Sequence, residues 1–220
     1  MNVASREREN NYLGVGINPS GNYCQDMQIY PFEQDTLVAL GANLQSRAGP
    51  PEVTLRLAIG ALAREGLALR RVSRFYANPC FPKGNGPDYV NAAVALAPLS
   101  GDPGPDEILR RLHRVEARFG RVREERWGGR VLDLDLLAID EIVLPELATQ
   151  ARWRHLPLER QMREAPGELI LPHPRMQDRA FVLVPLCDIA PGWRHPVTGV
   201  TAADMCAALP ADARAELVPL

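Results

Sequence analysis

The chain has 220 residues, 46% hydrophobic and 24% charged, with a formal net charge of −2. That is the balance of one globular domain with a sizeable core, and it does not fit a protein whose main task is to coat nucleic acid. Lys83 is the sole lysine, so the Gly-Lys pair of a phosphate-binding P-loop is excluded.

Residues 1–35 hold five of the nine asparagines and show no period, which predicts a disordered or loosely docked leader ahead of a domain over 36–220. No apolar run approaches the roughly 18 residues of a membrane span, and the N-terminus carries no signal-peptide core. The four cysteines (Cys24, Cys80, Cys187, Cys206) form no CxxC pair, so free thiols and a cytoplasmic location are expected.

The first strand is expected at Thr36–Gly41. From Pro51 to Glu65 the apolar residues Leu55, Ile59 and Leu62 recur at helical spacing, with Gly66 as the stop. Two strand-like runs follow, 68–77 and 89–96, separated by a loop over 78–87 with three prolines and two glycines. A second helix starts near Pro105, lines up Ile108, Leu112, Val115 and Phe119, and stops at Gly120. A further strand, Arg130-Val131-Leu132-Asp133-Leu134-Asp135-Leu136-Leu137, comes next. Residues 145–168 read as a charged, weakly periodic insertion with one or two helical turns, and apolar helices are expected at 180–189 and 202–209. Strand, helix, two strands, helix, strand predicts an α+β, ferredoxin-like fold with a largely antiparallel sheet flanked by helices.

The 130–137 strand is where chemistry shows. Side chains alternate along a strand, so Leu132, Leu134 and Leu136 share one face while Asp133 and Asp135 share the other, their Cα atoms roughly 6.5–7 Å apart. Two adjacent carboxylates repel and need positive charge between them, either a structural arginine or a divalent metal. Arginine is abundant nearby: residues 110–130 carry eight arginines against three glutamates. Arg110, Arg111, Arg114 and Arg118 lie off the apolar stripe and read as a solvated helix face. Arg121, Arg123, Arg126 and Arg130 fall instead in the ten-residue connection into the aspartate strand. Carboxylates that suit Mg²⁺, beside guanidinium forks that suit phosphate oxygens, describe a site for a metal-bound polyphosphate. Trp127, next to Gly128 and Gly129, reads either as part of a mobile flap or as a packing anchor.

The run GRVREERWGGRVLDLDLL resembles the signature of the 6-hydroxymethyl-7,8-dihydropterin pyrophosphokinase family. VALGANL, SRFYANP, PDYVNAAVAL, LPHPRMQDRAFVLVPL and DIAPGWRHP agree in order, so the resemblance spans roughly residues 36–200. It implies transfer of a diphosphate from ATP to the hydroxymethyl group of the pterin, with release of AMP, in folate biosynthesis. It also implies two Mg²⁺ ions on Asp133 and Asp135, phosphates held by Arg121 and Arg130, and Trp127 on the flap that covers ATP. By the same resemblance the pterin lies between Tyr89 and Phe181, Asn91 reads its edge with help from the backbone around Asn78, and His173 and Arg179 contact ATP. The 145–168 insertion is longer than a compact member of the family would carry.

Two other functions fit parts of the pattern. A sugar-nucleotide transferase would use the Asp-x-Asp pair but leaves Tyr89, Asn91 and Phe181 without a role. A ferredoxin-like nucleic-acid module would use the arginines and bind in a salt-sensitive way without metal, against which the two aspartates argue. The sequence reading therefore expects ATP and the pterin as partners, with neither nucleic acid nor membrane.

Overall fold

A computed structural model describes residues 35–80, 83–84, 86–120, 129–161 and 163–220. The leader expected over 1–35 therefore lies outside the described residues, Asp35 apart.

The elements run β1 (Thr36–Ala42), α1 (Pro51–Arg64), β2 (Leu67–Val72), β3 (Tyr76–Asn78), β4 (Tyr89–Pro98), α2 (Pro105–Arg118) and β5 (Asp133–Ile139). They continue with α3 (Leu147–Arg154), α4 (Leu158–Gln161), a 3₁₀ turn at Met176–Asp178, α5 (Ala180–Ile189), α6 (Ala202–Ala208), α7 (Ala211–Ala215) and β6 (Val218–Pro219). The sheet order is β5-β1-β4-β3-β6 with β2 also on β4, and every pairing is antiparallel. The expected α+β, ferredoxin-like arrangement is present.

The two helices end where glycine allows it. Gly66 and Gly120 follow α1 and α2 with φ of +79° and +84°, a region other residues enter only under strain. The run expected as one strand over 68–77 is broken instead. At Ser73 the amide donates to Ala93 O at 2.9 Å, while the Ser73 hydroxyl accepts from the Ala93 amide at 2.9 Å. A side chain thus stands in for the backbone carbonyl, and β2 and β3 pair with successive halves of β4.

Each sheet face has its own core. Val38, Leu40, Val94, Leu96, Leu132, Leu134 and Leu136 pack under α1 and α2 through Leu55, Leu62, Ile108, Leu112 and Val115. On the opposite face Leu37, Ala39, Ala93 and Ala95 pack against Val182, Leu183 and Leu186 of α5 and Met205 of α6. Burying these apolar side chains, at about 25 cal/mol per Å², is the main force holding the layers together.

The α2 arginines behave as a solvated face: Arg110 and Arg111 pair with Glu107, and Arg114 and Arg118 pair with Glu65. The insertion is more regular than its weak period implied, with an eight-residue α3 and a single-turn α4. No described helix is long and apolar enough to cross a membrane.

Candidate active site

The site forms at one end of the sheet, on the face that α5 covers only in part. Alternation along β1 sends Val38, Leu40 and Ala42 to the α1/α2 side, so Gly41 and Ala39 face the other way. In the ladder Gly41 lies opposite Asn91 on β4 and opposite Asp133 on β5, and Ala39 lies opposite Asp135. Asn91, Asp133 and Asp135 therefore share one face, joined by Tyr89 two residues before Asn91 and by Asn78, its cross-strand partner on β3. Asn91 and Asp133 are two strand spacings apart, roughly 9–10 Å. Gly41 between them must be small, since a Cβ there would come within 3.0 Å of Asn91 Oδ1.

The aspartates are half-buried and each meets an arginine. Arg130 hydrogen-bonds through its guanidinium to Asp133, and Arg179 Nη1 lies 3.5 Å from Asp135 Oδ2. Burial works against the charged form of Arg130, but Asp133 and Asp135 outweigh it and raise its pKa above the ordinary value. Arg179 stands at the N-cap position of α5 without a side-chain capping bond, and its Cζ lies 5.5 Å from the centroid of Phe181 in the first turn of that helix.

His173 sits in the segment before the 3₁₀ turn. Its amide donates to Leu137 O of β5 at 2.7 Å, and its Nδ1 accepts from the Arg175 amide at 3.2 Å. Burial, reinforced by Arg179 and Arg175 and opposed by Asp133, pushes the imidazole down to about 3. It is neutral at physiological pH, and with Nδ1 accepting, Nε2–H is left to donate.

On the β4 side, the Asn91 amide donates to Asn78 Oδ1, and Asn78 Nδ2 donates to Pro79 O at 3.0 Å. Burial raises the Tyr89 hydroxyl; Arg130 opposes this, while Asp133 and Cys80 add to it. No ring contact joins Tyr89 and Phe181 among the described residues, so the two faces are not stacked on one another.

Arg130, Asp133, Asp135, Asn78, Tyr89, Asn91, His173, Arg179 and Phe181 are thus gathered at this end of the fold. Arg121 and Trp127 lie outside the described residues. Among the described residues no three His, Cys, Asp or Glu side chains converge as a metal cage. A pair of carboxylates is nonetheless the donor set that Mg²⁺ takes when water and phosphate oxygens complete its shell. Asp133 and Asp135 lie on the same face of β5, so these residues fit such an ion.

Two supporting residues carried no expectation. Asn43, 5% exposed, accepts from the Arg130 amide at 2.7 Å through Oδ1 and donates to Pro87 O at 3.1 Å through Nδ2. It ties the entry of β5 to the entry of β4. Glu116, buried on α2, accepts from the Leu134 amide at 2.8 Å and so secures the outer edge of β5 between the two aspartates. A polar residue at the end of an apolar strand was a possible signal for Asn43; Glu116 lies beside the predicted apolar stripe and gave none.

A family model described as 7,8-dihydro-6-hydroxymethylpterin-pyrophosphokinase (HPPK) matches residues 37–191. The chain is 39% identical over 167 residues to the 2-amino-4-hydroxy-6-hydroxymethyldihydropteridine pyrophosphokinase of Synechocystis, covering 75% of this chain and 71% of that one. The Pseudomonas aeruginosa protein of the same name is 35% identical over 164 residues, with 74% and 85% covered. Among solved structures, an HPPK-DHPS chain of Plasmodium falciparum superposes with a TM-score of 0.54 at 14% identity, over 82% of this chain. The present chain spans 45% of that longer one, and at this identity the likeness concerns the fold.

Proposed function

The chain belongs to the 7,8-dihydro-6-hydroxymethylpterin-pyrophosphokinase family, and we propose that its sheet end divides the two substrates between β4 and β5. The activity is transfer of a diphosphate from ATP to 6-hydroxymethyl-7,8-dihydropterin, giving AMP and the pterin diphosphate for folate biosynthesis. The observation that carries the division is the register Asn91–Gly41–Asp133, which sets a neutral amide and a carboxylate pair on one face two strands apart.

In this reading the pterin lies on the β4 side. Its flat faces meet Tyr89 and Phe181, and its donor and acceptor edge meets Asn91, whose amide orientation Asn78 holds. The ATP phosphates lie on the β5 side, where Arg130, Arg179 and neutral His173 offer donors and Arg121 and Trp127 belong by resemblance. Asp133 and Asp135 would hold Mg²⁺, which when bound neutralises charge on the phosphate oxygens. Arg130 and Arg179 already balance the carboxylates, so they are placed to turn toward phosphate as cations arrive. Arg121 then grips the outer phosphates together with Arg130. The protein's own work is positioning and charge neutralisation, which is most of what phosphoryl-type transfer requires. A cytoplasmic location belongs to the same proposal, supported by the free thiols of Cys187 and Cys206 and by the ATP substrate.

A titration of turnover against Mg²⁺ tests the metal assignment. Wild type should require the ion, and Asp133→Asn or Asp135→Asn should lose most turnover and need more Mg²⁺ for what remains. Metal-independent turnover in wild type would refute it.

A further inference from the structure

The insertion between β5 and α5 makes three separate attachments to the short segment that carries His173. At its start, Leu144 and Leu171 exchange both backbone hydrogen bonds, at 2.9 and 3.2 Å. In its middle, the fully buried Gln150 of α3 donates from Nε2 to Pro172 O at 3.1 Å, one residue before the histidine. At its end, Arg175 reaches back with one guanidinium nitrogen to Gln161 O at 2.7 Å and Glu164 O at 3.4 Å. His173 is therefore bracketed on both sides by hydrogen bonds to the insertion, while its own amide is held by β5.

A surface insertion that only filled space would have no reason to bury a glutamine completely and aim it at a proline carbonyl. Proline has no N–H, so Pro172 contributes only an acceptor to this segment, and Gln150 supplies that acceptor's partner. Arg175 spends donors on the Gln161 and Glu164 carbonyls, at and just beyond the end of α4. The two hydrogens of one guanidinium nitrogen let it meet both carbonyls.

The geometry points to Gln150 and Arg175 as positioning residues: the 145–168 insertion is a brace that fixes the Pro172–Arg175 segment and presents His173 to the ATP phosphates. The inference rests on the assignment of His173 to ATP and adds what holds it. Ordering a donor before the ligand arrives lowers the entropy lost on binding, so the effect should fall on ATP rather than on the pterin.

The test uses Gln150→Leu, which keeps bulk and charge but removes the donor, together with Arg175→Ala and His173→Ala in the full chain. Two readouts are needed: hydrogen–deuterium exchange across residues 170–176, and separate KM values for ATP and pterin. Gln150→Leu should speed exchange at the His173 amide and raise KM for ATP roughly three- to tenfold, the effect of one hydrogen bond, with KM for pterin unchanged. Arg175→Ala should do the same. Unchanged exchange, or equal rises in both KM values, would overturn the brace. An unchanged KM for ATP in His173→Ala would overturn the ATP role of that histidine, and the exchange data would still decide whether the insertion holds the segment.

Discussion

Asn43 Oδ1 accepts the backbone amide of Arg130 at 2.7 Å, across 87 positions of sequence, and this one contact sets where the aspartate strand begins. The Asn43 backbone completes the join by donating to Arg130 O at 2.9 Å. Because Nδ2 of the same side chain holds Pro87 O, the entries to β4 and β5, and with them both proposed substrate sides, depend on one buried carboxamide.

Asn43→Leu should therefore strand two backbone groups, at a cost of about 1–3 kcal/mol each if neither finds water. KM should rise for both substrates. Urea unfolding and steady-state kinetics check this, and an effect confined to one substrate would contradict the shared anchor.

Asp133→Asn keeps an acceptor for Arg130, and Asp135 is paired only at 3.5 Å, so neither amide variant should change stability by more than about 1 kcal/mol. Turnover should nevertheless fall roughly a hundredfold or more, because a neutral amide is a poor partner for a hard dication. Thermal unfolding alongside initial rates separates the two effects; a large loss of stability would make the pair structural.

Much of the scaffold was legible because its signals are local. Periodicity located α1 and α2, Gly66 and Gly120 marked their ends, and alternation put Asp133 and Asp135 on one face opposite Leu132, Leu134 and Leu136. What was missed depends on long-range partners. The Ser73 hydroxyl replaces a carbonyl only because Ala93 lies across from it. Asn43, Glu116 and Gln150 are polar groups whose roles are fixed by what tertiary packing brings to them. The insertion's helices were legible only as one or two turns without bounds, because only Gln150 of α3 is buried, which leaves no apolar stripe to read. β6 and α7 are too short to carry a period, and β6 owes its place to pairing with β3.

Tyr89→Ala and Phe181→Ala should weaken the pterin more than ATP, each removing a stacking face worth about 0.5–1.5 kcal/mol beyond area burial. Gly41→Ala should act in the same direction, since its Cβ would press on Asn91 Oδ1. Separate titrations of each ligand read this out; equal losses for both would indicate damage to the core instead.

Stability should fall in acid through two histidines. Burial, with Arg154 beside it, pushes His195 down to about 4, and His173 is pushed to about 3. Each folded value lies below the unfolded one of about 6.5, so the unfolded chain binds protons first as pH drops. The stability present above pH 6.5 is lost progressively as pH falls from 6.5 through about 4 for His195 and about 3 for His173. His195→Asn should flatten that dependence in urea unfolding measured from pH 7 to 4.5. A dependence as steep as that of wild type would mean that His195 is not the group titrating.

The most direct test of the two-sided site is which phosphorus is attacked. In the proposed arrangement Arg121 and Arg130 would hold the β- and γ-phosphates together, so the pterin hydroxyl would attack the β-phosphorus and AMP would leave. Incubation with ATP, Mg²⁺ and 6-hydroxymethyl-7,8-dihydropterin, followed by phosphorus NMR and nucleotide separation, should give AMP and pterin diphosphate in equal amounts, and nothing when the pterin is omitted. ADP with a pterin monophosphate, or AMP released without pterin, would contradict it.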